Sequence, residues 1–214
     1  MKKLSFIILS LLFFSCCTMQ QRRTIVNRGL ASLVEVKYMS TVGGPASGSG
    51  CIVDKEKGLI LTNKHMAPIG AVSFVVVDKQ SSLARVIYRD RVLDIAVLEI
   101  EDKKILKNRL PIMFANNSKV GDDVYVLGHP FQFNNIVTKG IISGKFNDIL
   151  LLDAVLNPGN SGGLVINSNG KLVGVSFAID MRTFHNNTFS KSGLSYAVNA
   201  LVVREKLRIL KIIE

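Results

Sequence analysis

From Gly29 onward the chain is a succession of short apolar runs cut by turn residues. Before the midpoint the runs are Ser32 to Tyr38, Gly50 to Asp54, Gly58 to Thr62, Val72 to Val77, Ala84 to Tyr88 and Asp94 to Ile100. After Leu110-Pro111 they are Asp123 to Leu127, Ile136 to Ser143, Ile149 to Val155, Gly162 to Asn167, Lys171 to Ile179 and Gly193 to Val198. Many are rich in Val and Ile. Turn signals such as Gly43-Gly44-Pro45 and Asn167 to Gly170 separate them. Short β-branched runs at this spacing, with almost no helical periodicity, predict an all-β barrel or sandwich. Six runs precede the break near Leu110 to Val120 and six follow it. That division predicts two six-stranded antiparallel β-barrels, about 30–115 and about 120–198. No internal sequence repeat accompanies it.

The tail has a different period. From Asn199 to Ile213, apolar Leu201, Val203, Leu207, Leu210 and Ile213 recur with Arg204, Glu205, Arg208 and Lys211 between them. This predicts a C-terminal α-helix over about 199–213, capped by Asn199 and packed on the barrels by one apolar face. A helix lying on a membrane surface is the alternative.

The first residues fit neither pattern. Lys2 and Lys3 precede an apolar run, Leu4 to Phe14, that ends at Ser15-Cys16. A basic start, a short apolar core and a small residue are the layout of a secretory signal, and the run is too short to span a membrane comfortably. Phe13-Phe14-Ser15-Cys16 resembles a bacterial lipobox, although Phe13 departs from the usual leucine. The resemblance implies a signal peptide over 1–15, lipidation at Cys16, and an exported protein anchored at a membrane of the bacterial cell envelope. Residues 16–28 carry Arg22, Arg23 and Arg28 and no acid. They read as a basic tether able to rest on anionic headgroups, leaving 29–214 as the folded domain.

Composition narrows the class. Of 214 residues, 48% are hydrophobic and 20% charged, which excludes a disordered chain. A net charge of +11 raises nucleic acid, anionic membrane and acidic substrates as partners. The lysines are scattered and no nucleic-acid module is present, so a solvated basic surface is expected, with no nucleic acid as partner. Three cysteines, Cys16, Cys17 and Cys51, do not support a disulfide framework. Cys51 reads as a small buried apolar residue.

The chemistry centres on Asn157-Pro158-Gly159-Asn160-Ser161-Gly162-Gly163, set between two apolar runs. Glycines beside a serine let backbone approach a substrate closely and let N–H groups point together at a developing oxyanion. A lone stretch of this kind is also an ordinary glycine-rich turn. A serine hydroxyl needs a base and a group to hold that base. His65 follows one apolar run, and Asp94 heads another. His129 and His185 are the other histidines, and Asp90 is the other acid near Asp94. The chain order His65, Asp94, Ser161 is one of the known orders of the Ser-His-Asp triad.

Several stretches then make a resemblance. Ser49-Gly50-Cys51-Ile52-Val53 with Leu61-Thr62-Asn63-Lys64-His65, Asp94-Ile95-Ala96-Val97-Leu98, Leu127-Gly128-His129-Pro130, Val137 to Ser143 and Asp153-Ala154 through Gly163 occur in the order found in trypsin-like serine proteases of the bacterial HtrA and glutamyl-endopeptidase type. The resemblance covers roughly residues 30 to 202 and implies a chymotrypsin-like fold and a serine endopeptidase acting on protein or peptide substrates, without cofactor or metal. It implies Ser161 as nucleophile, His65 as general base and acid, and Asp94 as the group orienting His65. It implies an oxyanion hole from the N–H groups of Gly159 and Ser161 with the turn at Asn160. Ser176-Phe177-Ala178 would pair with substrate backbone. Val155, six residues before the nucleophile, stands where a trypsin carries an aspartate, so an apolar or small side chain is expected before the scissile bond. His129 reads as structural or as pocket wall, and Asp180 to Ser192 as a long polar loop. The chain stops at Glu214, just past the C-terminal helix, so the PDZ domains of HtrA proteins and their chaperone role are not expected. A catalytically silent pseudoprotease that binds extended peptides is the alternative.

Overall fold

The computed structural model describes residues 19–40, 44–177, 182–185, 188–191 and 193–214. Barrel 1 is built from β1 (Leu33–Ser40), β2 (Gly44–Asp54), β3 (Leu59–Thr62), β4 (Val72–Val77), β5 (Gln80–Arg89) and β6 (Ala96–Ile100), closed in the order β1-β2-β3-β6-β5-β4. Barrel 2 uses β7 (Asp123–Gly128), β8 (Ile136–Phe146), β9 (Ile149–Leu152), β10 (Leu164–Asn167), β11 (Leu172–Phe177) and β14 (Ser195–Asn199), closed as β7-β8-β9-β14-β11-β10. Read from its first strand, each barrel has the same winding, although the two halves share no sequence repeat. Every pairing within the barrels is antiparallel.

The two faces of the strands explain the core. In barrel 1, Val34, Val36, Ile52, Ile60, Val75 and Leu98 point inward into one buried cluster. In barrel 2, Val124, Val126, Ile142, Leu150, Leu152 and Val165 do the same. The residues of opposite parity, including Leu33, Cys51, Leu61 and Val97 from barrel 1 and Tyr125, Leu127, Leu164 and Ile166 from barrel 2, join in a third cluster that spans both barrels. β3 and β10, buried on both faces, therefore read in sequence as continuous apolar runs rather than alternating ones. Cys51 is fully buried and free, and burial pushes its thiol up to about 12.

Several strand ends depart from the sequence reading: β5 begins earlier, at Gln80, β6 begins later, at Ala96, and β9 ends earlier, at Leu152. β2 and β8 extend further than expected, because the Gly44 to Ser49 and Gly144 to Phe146 segments are held by pairing to β1 and β9. A further hairpin, β12 (Arg182–His185) with β13 (Thr188–Lys191), lies in the stretch expected to be loop.

Helices close the molecule. The expected tether is instead helical over 19–30 (α1), and it seats Ile25 in the cluster shared by the barrels. Its Arg28 donates to the Asn169 carbonyl. No helix among the described residues is long and apolar enough to cross a membrane. The C-terminal helix α2 (Ala200–Ile209) is capped by Asn199, whose side chain accepts the Leu201 N–H at 3.0 Å. Its Ala200, Val203 and Leu207 are buried in the shared cluster, so the helix packs on the barrels. Lys206 on the same helix reaches Asp90 of barrel 1 at 2.8 Å.

Leu207 is fully buried and contributes to the contact of α2 with the cluster shared by the barrels. Leu207→Ala should therefore destabilise the fold by about 2–5 kcal/mol, read as a lower denaturant midpoint with the cooperativity of unfolding retained. A loss below about 1 kcal/mol would mean that α2 is not part of the cooperative core.

Candidate active site

His65 sits in a single helical turn, Lys64–Met66, that follows β3. Asp94 lies in the bend before β6, not in the strand itself, which begins at Ala96. Its polar groups are turned to the His65 segment instead of the ladder. Asp94 Oδ2 is 2.7 Å from His65 Nδ1, and Oδ1 accepts the His65 backbone N–H at 3.0 Å. Asn63 Nδ2 donates to the Asp94 carbonyl oxygen at 2.8 Å. A carboxylate only accepts, so Nδ1 carries the proton and Nε2 keeps a lone pair for another partner. The side chains of His65 and Asp94 are 48% and 28% exposed, so the pair opens to solvent on the His65 side. Burial pushes the Asp94 carboxyl upward, but the hydrogen bonds and charge of His65, and then the charge of Lys64, outweigh it and hold it below its ordinary value.

Asp90, the rival acid, is buried and structural. It accepts from Tyr88 Oη, Lys206 Nζ and the N–H groups of Val92 and Leu93, all at 2.6 to 2.8 Å. Burial opposes its ionisation, but those donors prevail and keep it well below the carboxylate range. Tyr88 beside it is pushed up to about 12, by burial first and by Asp90 next. This knot fixes the start of the bend that carries Asp94.

Ser161 comes from barrel 2, on the turn between β9 and β10, and is 8% exposed. Gly159 has a φ of +100°, and a Cβ there would come within 2.5 Å of the His129 carbonyl oxygen. Only glycine fits that conformation and that approach. At Gly162 a Cβ would collide with the Ser49 carbonyl oxygen and Thr62 Oγ1 of barrel 1. The Ser49 N–H donates to the Ser161 carbonyl oxygen at 2.7 Å, and Gly48 lies between that oxygen and the Met66 side chain. The serine turn is thus brought against the segment that bears His65. Among the described residues, no hydrogen bond joins Ser161 Oγ to His65.

The N–H groups of Gly159 and Ser161 also have no partner among the described residues, while Asn160 N–H closes the turn on the Asn157 carbonyl oxygen at 3.0 Å. Asn160 thus shapes the turn rather than offering its own N–H.

The substrate-side expectations fare unevenly. Val155 is 60% exposed and accessible. Ser176 is fully buried and faces the serine turn: its N–H donates to Gly163 O, its carbonyl accepts from Gly162, and its Oγ donates to Asn160 O at 2.7 Å. That geometry replaces the expected open strand edge at this residue with a brace under the turn. Phe177 is buried and pairs with Tyr196, and Ala178 and Cys16 lie outside the described residues. His129 is 6% exposed, as a structural reading implies. Ser49, Phe131 and Asn63 were missed as individual residues. Ser49 and Asn63 stand inside stretches that the sequence marked, whereas Phe131 carries no signal at all.

Two closed six-stranded barrels, a His–Asp pair on one and a glycine-flanked serine on the other, define a chymotrypsin-like double barrel. A family model for the trypsin-like peptidase domain matches residues 48–175, more than half of the chain. The chain belongs to that family. It is 34% identical over 146 residues to the periplasmic serine endoprotease DegP of Escherichia coli, covering 63% of this chain and 30% of that protein. Among solved structures, the serine endoprotease from Yersinia pestis superposes with a TM-score of 0.72 at 30% identity, covering 88% of this chain and 65% of that one. The HtrA-type protease AlgW with a tripeptide gives 0.72 at 26% identity, covering 86% and 61%. The chain spans about a third of the length of the curated relatives it matches.

Burial lowers the His129 pKa, opposed by Glu35 and assisted by Arg109 and Lys37. A histidine held down in the fold takes up protons more readily when unfolded, so stability falls as pH drops below about 6.5. Asp90 and Asp94 are held down as carboxylates, so their contribution is present above about pH 4 and lost as pH falls through their folded values. Melting curves from pH 8 to 3 should show both losses, and His129→Gln should abolish the first alone. An unchanged slope between pH 7 and 5 in that variant would place the first loss elsewhere.

Proposed function

We propose that this chain is a serine endopeptidase of the bacterial cell envelope that cleaves peptide bonds through an acyl-enzyme. The observation that carries the reading is the 2.7 Å His65–Asp94 pair, which commits Nδ1 and leaves Nε2 as the base, on the barrel facing the Ser161 turn. Ser161 Oγ attacks the scissile carbonyl carbon and its proton passes to His65 Nε2. The carbonyl oxygen gains the negative charge and is held by the Gly159 and Ser161 N–H groups, each such donor being worth about 2.7–4 kcal/mol in barrier. Collapse breaks the C–N bond, and His65 gives the proton to the leaving amine. Water, deprotonated by His65, then releases the acid and restores Ser161. Asp94 steadies the imidazolium in both halves. No step calls for a cofactor or metal.

Substrates in this reading are extended protein or peptide segments, in keeping with the tripeptide held by the AlgW relative. The exposed Val155 suits a small or apolar side chain before the scissile bond, and Phe177-Ala178 is the stretch for strand pairing. Export fits the periplasmic DegP relatives, and the lipobox-like end of the leader assigns the anchor to Cys16. The absent Ser161–His65 hydrogen bond also favours a second reading, a peptide-binding pseudoprotease, which casein turnover separates from the first.

A fluorophosphonate probe should label the wild-type protein and fail to label Ser161→Ala. Ser161→Ala and His65→Ala should lower kcat about 10⁵- to 10⁶-fold, and Asp94→Asn about 10⁴-fold, with melting temperatures unchanged for Ser161→Ala. Persistent labelling of Ser161→Ala would reject the nucleophile.

A further inference from the structure

We propose that Ser49 is a positioning residue for the oxyanion hole, holding the carbonyls of Gly159 and Ser161 turned away from the substrate side. The proposal rests on the reading of Ser161 as nucleophile. Ser49 lies on β2 of barrel 1 and is fully buried. Its Oγ–H donates to the Gly159 carbonyl oxygen at 2.8 Å, and Ser49 Oγ itself accepts the His129 N–H at 2.9 Å. Its own N–H donates to the Ser161 carbonyl oxygen at 2.7 Å, and its carbonyl accepts Thr62 Oγ1 at 2.7 Å. One side chain and one peptide therefore tie barrel 1, the His129 segment and the serine turn together.

The consequence follows from peptide geometry. In a trans peptide the C=O and the following N–H point in opposite directions. Anchoring a carbonyl therefore aims the next N–H. All four carbonyls of residues 158–161 are anchored. Pro158 O accepts the Phe131 N–H at 2.9 Å, and Gly159 O accepts Ser49 Oγ–H. Asn160 O accepts Ser176 Oγ–H at 2.7 Å and the Gly163 N–H at 2.9 Å, and Ser161 O accepts the Ser49 N–H. The N–H groups of Gly159 and Ser161 are opposed to the Pro158 and Asn160 carbonyls, which Phe131 and Ser176 hold, and remain unpaired among the described residues.

Ser49 supplies the other two anchors, on the carbonyls of Gly159 and Ser161, and its hydroxyl is the link to His129. Without the hydroxyl, the Gly159 carbonyl and the His129 N–H lose a buried partner. The His129 segment carries the Phe131 N–H that holds the Pro158 carbonyl, so loosening that segment frees the peptide that aims the Gly159 N–H and lets a carbonyl turn toward the place of the oxyanion. Ground-state binding along the substrate groove does not pass through Ser49, so the loss falls on the transition state.

Ser49→Ala, assayed on a peptide amide, should lower kcat about 10- to 100-fold and leave KM within about twofold. Affinity for a peptide boronic acid, which forms a tetrahedral adduct, should fall in parallel with kcat/KM, while a product peptide binds as before. Wild-type kcat, or a raised KM with kcat unchanged, overturns the proposal. If Ser49→Ala does not fold, Ser49→Cys keeps the shape with a weaker donor and should show the same split. Loss of folding in both variants would make Ser49 purely structural and overturn it too. Fluorophosphonate labelling of the wild type, lost in Ser161→Ala, is established first. Its failure removes the nucleophile, whereas intact labelling with wild-type kcat in Ser49→Ala removes only this role.

Discussion

The cleft depends on a single close backbone contact between the barrels. The Ser49 N–H meets the Ser161 carbonyl oxygen at 2.7 Å, and Gly162 lies against the Ser49 carbonyl and the Thr62 hydroxyl with no room for a side chain. A hydrogen bond of this kind nets only about 1 kcal/mol. Burial of Leu61, Leu127, Leu164 and their neighbours contributes about 1.5–3 kcal/mol for each side chain. The apolar cluster therefore holds the barrels together, and the polar contact sets where they stop. That division of labour matters because the cluster is non-directional. Apolar side chains would tolerate a small slide, whereas the Ser49 contact does not.

From that contact the rest of the site can be traced outward along the chain. Thr62, which caps the Ser49 carbonyl, ends β3, and the next three residues are Asn63, Lys64 and His65. Asn63 in turn holds the Asp94 carbonyl, and the Asp90 knot with Tyr88 and Lys206 fixes the bend from its other end. Lys206 belongs to α2, which packs on barrel 2. The acid that orients His65 is thus braced by both barrels, although its own strand belongs to one.

How much of this was legible depends on whether a residue's partner is close in sequence or far. The barrels were readable because β3, β6 and β10 are apolar almost throughout, and because Val and Ile suit a pleated surface. The ends of β2 and β8 were not, since Gly44, Pro45, Gly144 and Lys145 have little strand preference and are held by their neighbours. The Arg182–His185 and Thr188–Lys191 hairpin hid in a polar stretch, with only Asn186-Asn187 to hint at a turn. The basic stretch before Gly29 looked like a tether because arginines dominate it, yet Ile25, with Val26 and Leu30 packed beside it, seats the helix on the shared cluster. In the site, His65, Asp94 and Ser161 stood out because their motifs are local. Ser49 did not, because a serine in Ser49-Gly50 looks like a turn serine until its partners, some eighty to a hundred and ten residues away, are known.

Phe131 marks the limit of that legibility and explains why the turn needs support from outside. Its φ of 51° lies in the left-handed region, which costs a residue with a Cβ about 1–2 kcal/mol. Nothing in Pro130-Phe131 announces it, since the residue is neither glycine nor asparagine. The residue is fastened on its N-terminal side, where the Phe131 N–H meets the Pro158 carbonyl oxygen and the His129 carbonyl and Pro130 lie against Gly159. The strain thus sits beside the peptide that precedes the Gly159 N–H, in a segment already fastened by His129 to Ser49. A glycine at residue 131 would remove the strain but would also free the backbone on one side of the turn. The aromatic side chain is 59% exposed, so its packing does not account for the conformation. The backbone position, not the ring, is what the fold maintains there.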